Sequence, residues 1–317
     1  MTTSIPQPTP PADGTAEAEP TASATVPEPA TVPEPATVPE PATETEVAAG
    51  GELTLTVVDG IARITLNRPD AGNALTMGQR DALLTWFARF NADPSVRVVV
   101  LASTGRFFCT GADLRQQRSA GPRPEGVPEK LVGDIRRAMS TGGINVVHAI
   151  LDCEKPVIAA VQGTAAGIGA HLVFACDLVV AAENARFIEI FARRGLAVDG
   201  LGTWLLPRLV GLARARELVL LAEDIPAARA AEIGLIARAV PADALAATVD
   251  ELAARLAAGP TRAHSANKWL LNRSLDVDRH TLAQEEAWVV EALSYTEDAD
   301  EGVRSFVERR PTRFRGF

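Results

Sequence analysis

Residues 155–182, "KPVIAAVQGTAAGIGAHLVFACDLVVAA", constrain the fold more than any other stretch of the chain. The runs "KPVIAAVQG" (155–163) and "DLVVAA" (177–182) are rich in Val, Ile and Ala without alternation, the pattern of strands covered on both faces. Between them come small residues, Gly167 and Gly169, and an apolar stretch that reads as a helix starting near Gly167. Strand, small-residue turn, helix and second strand in that order call for a parallel sheet covered by helices.

The flanking sequence extends the same architecture. "LTLTVVDGIARITLN" alternates around Asp59-Gly60, a dipeptide suited to a tight hairpin turn. Leu83, Trp86, Phe87 and Phe90 fall at i, i+3, i+4 and i+7, one face of a helix beginning near Thr76. "VRVVVLAS" (96–103) is a further buried strand, and a short Ala-rich helix from Ala227 to Gly234 precedes the strand "LIARAV". From about residue 243 the chain is Ala- and Leu-rich and helical. The expectation is an α/β core over 51–254 and a C-terminal helical region over 255–317. Residues 1–50 are different material: "TVPEPA" occurs three times from Thr25 to Ala42 with no aromatic residue nearby. Such composition cannot bury enough apolar area to offset its ordering entropy, so a disordered, extended acidic tail is expected there.

Several function classes are set aside on chemical grounds. A net charge of -9 argues against nucleic acid as a partner, since neutralising phosphates takes clustered Lys and Arg. Cys109, Cys153 and Cys176 show no metal-ligand spacing and cannot all pair with one another, which points to a reducing, cytoplasmic setting without a metal site. The start "MTTSIPQPTP" has neither the basic nor the apolar part of a secretory signal. As a membrane span, "AAGIGAHLVFACDL" is short and carries His171 and Asp177, both costly in hydrocarbon. As a dinucleotide fingerprint it lacks the third glycine, Leu172 standing in its place. What remains is a helix start whose unsatisfied N–H groups face a cleft, the layout of an oxyanion hole. "RFFCTGADL" supplies a second such element, with Gly111 allowing close backbone approach beside Ala112 and Asp113.

Taken in order, "LNRPDAGNAL", "FFCTGADL", "KPVIAAVQGTAAGIGAHLVFACDLVVAAENARF", "GLAVDGLGTWLLPRLVG" and "EGVRSFVERR" resemble the crotonase, or enoyl-CoA hydratase/isomerase, superfamily from about Leu53 to Phe317. That resemblance implies a crotonase-like spiral of repeated ββα units with a C-terminal helical oligomerisation region. It implies an acyl-CoA thioester as substrate, its oxygen held by the N–H groups of Ala112 and Ile168. CoA is then part of the substrate and no separate cofactor is called for. Ala71 and Gly72 match the region that contacts the CoA nucleotide, and Asp113 and Leu114 follow the first amide in the same motif. Phe306 and Arg309 match positions that complete the CoA site, often from a neighbouring subunit, in a homotrimer or dimer of trimers.

The departures from the family pattern decide the expected reaction. Hydratases of the family use two glutamates, and those positions read His171 and Phe191 here. Water addition needs a base and an acid, and Phe can be neither. Glu189 lies two residues away and would serve only after a local shift of the backbone, so it is expected to stand outside the chemistry. Asp199 matches the Asp of isomerases in the superfamily, with Val198 where Pro is usual. One carboxylate in an apolar pocket suffices to move a double bond, by taking a proton from one carbon and returning it to another. His171 is expected either to hydrogen-bond substrate or Asp199, or to sit in the core with a backbone carbonyl as partner. Asp113 is expected to lock its loop by accepting backbone N–H groups. A hydratase using Glu189 or His171, a thioester hydrolase or C–C lyase, and a non-catalytic acyl-CoA binding protein remain as alternatives. The loop from about 115 to 145 would set acyl-chain tolerance.

Overall fold

The computed structural model describes residues 44–115, 125–128 and 131–317. In chain order the strands are β1 (Glu44–Ala48), β2 (Leu53–Val58), β3 (Ile61–Leu66), β4 (Val98–Ser103), β5 (Phe107–Cys109), β6 (Val157–Val161), β7 (Thr164–Ala166), β8 (Leu178–Ala182), β9 (Arg186–Ile188), β10 (Asp224–Pro226) and β11 (Arg238–Val240). The helices are α1 (Met77–Ala92), α2 (Asp134–Ser140), α3 (Gly143–Leu151), α4 (Ile168–Phe174), α5 (Gly202–Leu221), α6 (Ala227–Glu232), α7 (Leu245–Ala257), α8 (Thr261–Arg273), α9 (Arg279–Leu293) and α10 (Glu297–Glu308).

The strands form two sheets, ordered β1-β2-β3-β4-β6-β8-β11 and β10-β9-β7-β5. From β4 onward the chain repeats one unit. β4, β6 and β8 enter the large sheet, β5, β7 and β9 follow in the small one, and helix comes after each pair. This is the expected series of ββα units. The apolar runs are explained by burial on two sides: Val99, Leu101, Val157, Ala159 and Val161 face the main core, while Val98, Val100, Ile158 and Ala160 meet Leu245, Val249, Ala253 and Ala257 of α7.

Local signals act as their chemistry requires. Asp59 and Gly60 both have positive φ, 51° and 77°, joining β2 to β3 in a two-residue hairpin. Thr76 caps α1 in a capping box, its hydroxyl accepting from Gln79 N–H at 3.2 Å while the Gln79 side chain accepts from Thr76 N–H at 2.9 Å.

Two boundaries differ from expectation. Glu44–Ala48, assigned to the tail, pair antiparallel with Leu53–Val57 as the edge of the large sheet, where their backbone pairs with the free side of β2. The tail expectation for residues 1–43 lies outside the described residues, as do parts of the 115–145 loop. The line drawn at 254/255 falls inside α7, whose apolar stripe belongs to the sheet layer. Among the described residues no helix is long and apolar enough to cross a membrane.

Candidate active site

β5, β7 and β9 are neighbouring parallel strands, so they end at one edge of the small sheet. The chain leaving β5 carries Gly111 and Ala112, that leaving β7 carries Gly167 and Ile168, and that leaving β9 carries Glu189 and Phe191. Strand ends of this kind are where open backbone groups and ligands meet.

The two candidate amides are oriented by what their own peptide units already do. The Gly111 carbonyl accepts from Leu75 N–H at 2.8 Å, and Asp113 N–H donates to the Leu75 carbonyl at 3.1 Å. A trans peptide directs the Ala112 N–H opposite to the Gly111 carbonyl, away from Leu75, and it finds no acceptor among the described residues. The same holds one strand over. The Gly167 carbonyl accepts from Ala170 and His171 N–H at 2.9 and 3.1 Å, which turns the Ile168 N–H back out of the helix. Gly167 permits this turn with φ 54° and ψ −129°, which side-chain-bearing residues avoid. A Cβ on Gly111 would lie 3.3 Å from the Ala166 carbonyl oxygen, so the two loops are in contact. Two open donors on adjacent loops are what a developing oxyanion requires.

Asp113 holds the first loop. Its carboxylate accepts from Arg68 at 2.6 Å and from Arg115, through both the backbone N–H and the guanidinium, at 3.0–3.1 Å. Arg115 and then Arg68 keep its carboxyl well below the usual range, so it is an acceptor and not a base. Thr110 N–H donates to the Gly72 carbonyl at 3.0 Å, which ties Ala71 and Gly72 to the same loop. Leu114 is exposed beside it. Phe306 and Arg309, at the end of α10, are exposed, and no hydrogen bond or ion pair among the described residues links them to Ala112, Ile168 or Asp199.

His171 sits in the core as one expectation has it, but with a different partner. It is fully buried, and its Nε2 lies 3.1 and 3.0 Å from the two Glu189 carboxylate oxygens; its partner is neither Asp199 nor a backbone carbonyl. Glu189, expected outside the chemistry, is 1% exposed. Phe191 stacks on the imidazole with ring centroids 5.5 Å apart and planes 11° from parallel. Sequence spacing carried no sign of the pair, which joins α4 to the end of β9. Asp199, by contrast, is half-buried and its carboxylate accepts no hydrogen bond from any described residue. Burial pushes its carboxyl above the ordinary value; the interaction with His171 opposes this and the Glu189 charge adds to it. Among the described residues no cluster of His, Cys, Asp and Glu is placed to hold a metal ion.

Repeated ββα units with open amides at the ends of two parallel strands, and a half-buried Asp199 on the loop packed against Ile168, are the features on which this chain can be compared with known proteins. The chain belongs to the enoyl-CoA hydratase/isomerase family, which matches residues 56–316. It is 39% identical over 260 residues to the "Probable enoyl-CoA hydratase" of Rhodobacter capsulatus, covering 82% of this chain and 96% of that protein. It is 34% identical over 262 residues to the 1,2-epoxyphenylacetyl-CoA isomerase of Escherichia coli, covering 82% and 97%. The crystal structure of enoyl-CoA hydratase from Bacillus anthracis is similar with a TM-score of 0.76 at 30% identity, covering 84% of this chain and 100% of that one.

Proposed function

We propose that the chain shifts the double bond of an enoyl-CoA thioester. Asp199 takes a proton from the carbon next to the thioester or its vinylogous position. The electron pair moves onto the thioester oxygen, which the Ala112 and Ile168 N–H groups hold, and Asp199 returns the proton to the other end of the allylic system. No electrons are gained or lost, so the step calls for no redox cofactor.

One observation carries this reading. Of the three carboxylates near the amides, Asp113 is held by Arg68 and Arg115 and Glu189 is sequestered against His171, while Asp199 is half-buried, unpaired and raised in basicity. Ala71, Gly72, Asp113 and Leu114 belong to the CoA side of the site in this reading. Phe306 and Arg309 serve a neighbouring subunit of a homotrimer or dimer of trimers. Support for assembly comes from α9, which buries no residue within the chain and exposes Trp288, and from the exposed Tyr295, Phe306 and Val307 nearby.

The names of the similar proteins divide between hydratase and isomerase, so water addition, with Glu189 acting through His171, is the second reading. The test is a panel of 2-enoyl- and 3-enoyl-CoA thioesters run in ¹⁸O-water. Double-bond migration without ¹⁸O uptake, lost by about 10²–10⁴-fold in Asp199→Asn with acyl-CoA affinity nearly unchanged, is the expected result. Full activity in Asp199→Asn, with ¹⁸O in the product, would replace isomerisation by hydration.

A further inference from the structure

Ile168 brings two things to the site, its N–H and a branched side chain. It is the first residue of α4, and the Cα–Cβ bond there tilts toward the helix N-terminus, the end at which the amide stands open. The side chain is buried, and its tip lies against two glycines from different parts of the chain. A Cβ on Gly200 would stand 2.3 Å from Ile168 Cδ1, and one on Gly143 would stand 3.4 Å from both Cδ1 and Cγ1. Gly200 follows Asp199, and Gly143 is the first residue of α3. The Ile168 side chain thus fills the crevice between the start of α3 and the Asp199 loop.

Farther along the same two elements a cavity of about 560 Å³ opens. Leu151 of α3, Leu201 and Trp204 at the start of α5, Trp269 of α8, and Val289 and Leu293 of α9 give it apolar walls. Leu201 comes directly after Gly200. Leu151 closes α3, about 12 Å from Gly143 at the rise of an α-helix. Arg262, Lys268, Arg273 and Asp276 also line the cavity, and each is already paired, with Glu154, Asp177, Glu285 and Arg208 in turn. Paired charges and open apolar walls suit a hydrocarbon chain better than a charged ligand.

We propose that the Ile168 side chain limits acyl-chain length: it closes the crevice between the thioester site and this cavity, so the protein takes short-chain enoyl-CoA thioesters. This rests on the reading of the Ile168 N–H as a donor to the thioester oxygen and of Asp199 as the proton shuttle. The first places the acyl group beside Ile168, and the second runs its reacting carbons along the Asp199 loop. Carbons beyond them meet Ile168 Cδ1 where it lies on Gly200. One residue then holds the head of the acyl group with its amide and stops the tail with its side chain. A smaller side chain at the same position keeps the donor and joins the crevice to the cavity.

Ile168→Ala tests this, because it keeps the N–H and removes Cγ1, Cγ2 and Cδ1. The measurement is calorimetric binding of butanoyl-, hexanoyl- and decanoyl-CoA, saturated thioesters with no double bond to move. Affinity in the parent is expected to stop rising beyond hexanoyl-CoA. In Ile168→Ala the preference for decanoyl- over butanoyl-CoA should rise at least tenfold, since each methylene newly buried is worth about fourfold. A merely structural Ile168 predicts a lower melting temperature and an equal loss at every chain length. That outcome overturns the proposal, as does a parent whose affinity already climbs through decanoyl-CoA. Should Ile168→Ala fail to fold, Ile168→Val decides, since it loses only Cδ1, the atom against Gly200. A gain of about threefold or more for decanoyl- over butanoyl-CoA supports the proposal, and an unchanged ratio ends it. Asp199→Asn separates the two levels of argument. If that variant keeps its isomerase rate, the shuttle reading has failed, whatever the binding series shows. If it is inactive while the chain-length ratio in Ile168→Ala is unmoved, only the length limit has failed.

Discussion

Replacing Ala112 by Pro removes one atom from the candidate oxyanion hole and almost nothing from the fold. The Ala112 N–H has no acceptor among the described residues, while the bonds that anchor its loop, Leu75 to Gly111 at 2.8 Å and Asp113 to Leu75 at 3.1 Å, use neighbouring groups that Pro leaves intact. Gly111, with φ 112°, lies outside the α region that a following proline disfavours. Ala112 is exposed, so the ring meets no packed core. The stability cost is therefore expected to be about 0.5 kcal/mol or less. The kinetic cost is of another size. Losing one of two donors to a developing oxyanion costs about 10²–10³ in kcat, or ~3 kcal/mol of barrier. The assay pairs thermal melting with kcat and KM on the preferred enoyl-CoA, and Ala112→Gly, which keeps the N–H, serves as the control. An Ala112→Pro protein that melts like the parent and turns over within about threefold of it would remove this amide from the mechanism.

Lys268 of α8 donates to the Ile150 carbonyl at 2.9 Å and to Asp177 at 2.8 Å; Lys268→Met removes both bonds while the partly exposed Asp177 carboxylate keeps the Val157 N–H, so it should cost about 1–2 kcal/mol in chemical denaturation, and a loss under about 0.5 kcal/mol would show that this tie is dispensable. Deleting residues 1–43 should leave the melting temperature unchanged, whereas deleting 1–50 removes β1 and the Arg89–Glu46 ion pair and should lower it by several degrees; equal melting of the two truncations would deny β1 any role in the fold.

The central strands β4, β6 and β8 of the large sheet were legible because burial on two faces leaves short Val-, Ile- and Ala-rich runs without alternation. Val98, Val99 and Val100 alternate between two cores and are apolar throughout. The hairpin and α1 were legible for a different reason: Asp59-Gly60 and the Thr76/Gln79 box are local devices whose chemistry is complete within a few residues. β1 was not legible, because a short edge strand has no pattern of its own and exists only once β2 is there to pair with. α7 hid its allegiance likewise. The stripe Leu245, Val249, Ala253, Ala257 announces an amphipathic helix and says nothing of which layer it covers.

The site divides along the same line. Ala112 and Ile168 stand in long ordered motifs, but the pairing of His171 with Glu189 spans two elements and leaves no mark in the spacing of either. Phe187, Glu189 and Phe191 are all buried while Arg186 is exposed and Ile188 and Ile190 are intermediate, so ordinary strand alternation turns Glu189 inward. Two residues along a strand is about 7 Å, however, and the displacement runs back into the sheet, away from its ligand-bearing edge. A carboxylate moved that far inward meets a dry interior, where it must be paired or neutralised. His171, on α4 and in the position of the first family glutamate, is the group within reach, and Phe191 closes over the ring from the position of the second. The three departures from the hydratase pattern are thus one rearrangement: Glu189 pairs with His171 Nε2, Phe191 stacks on the ring, and in the proposed reading the proton chemistry is left to Asp199.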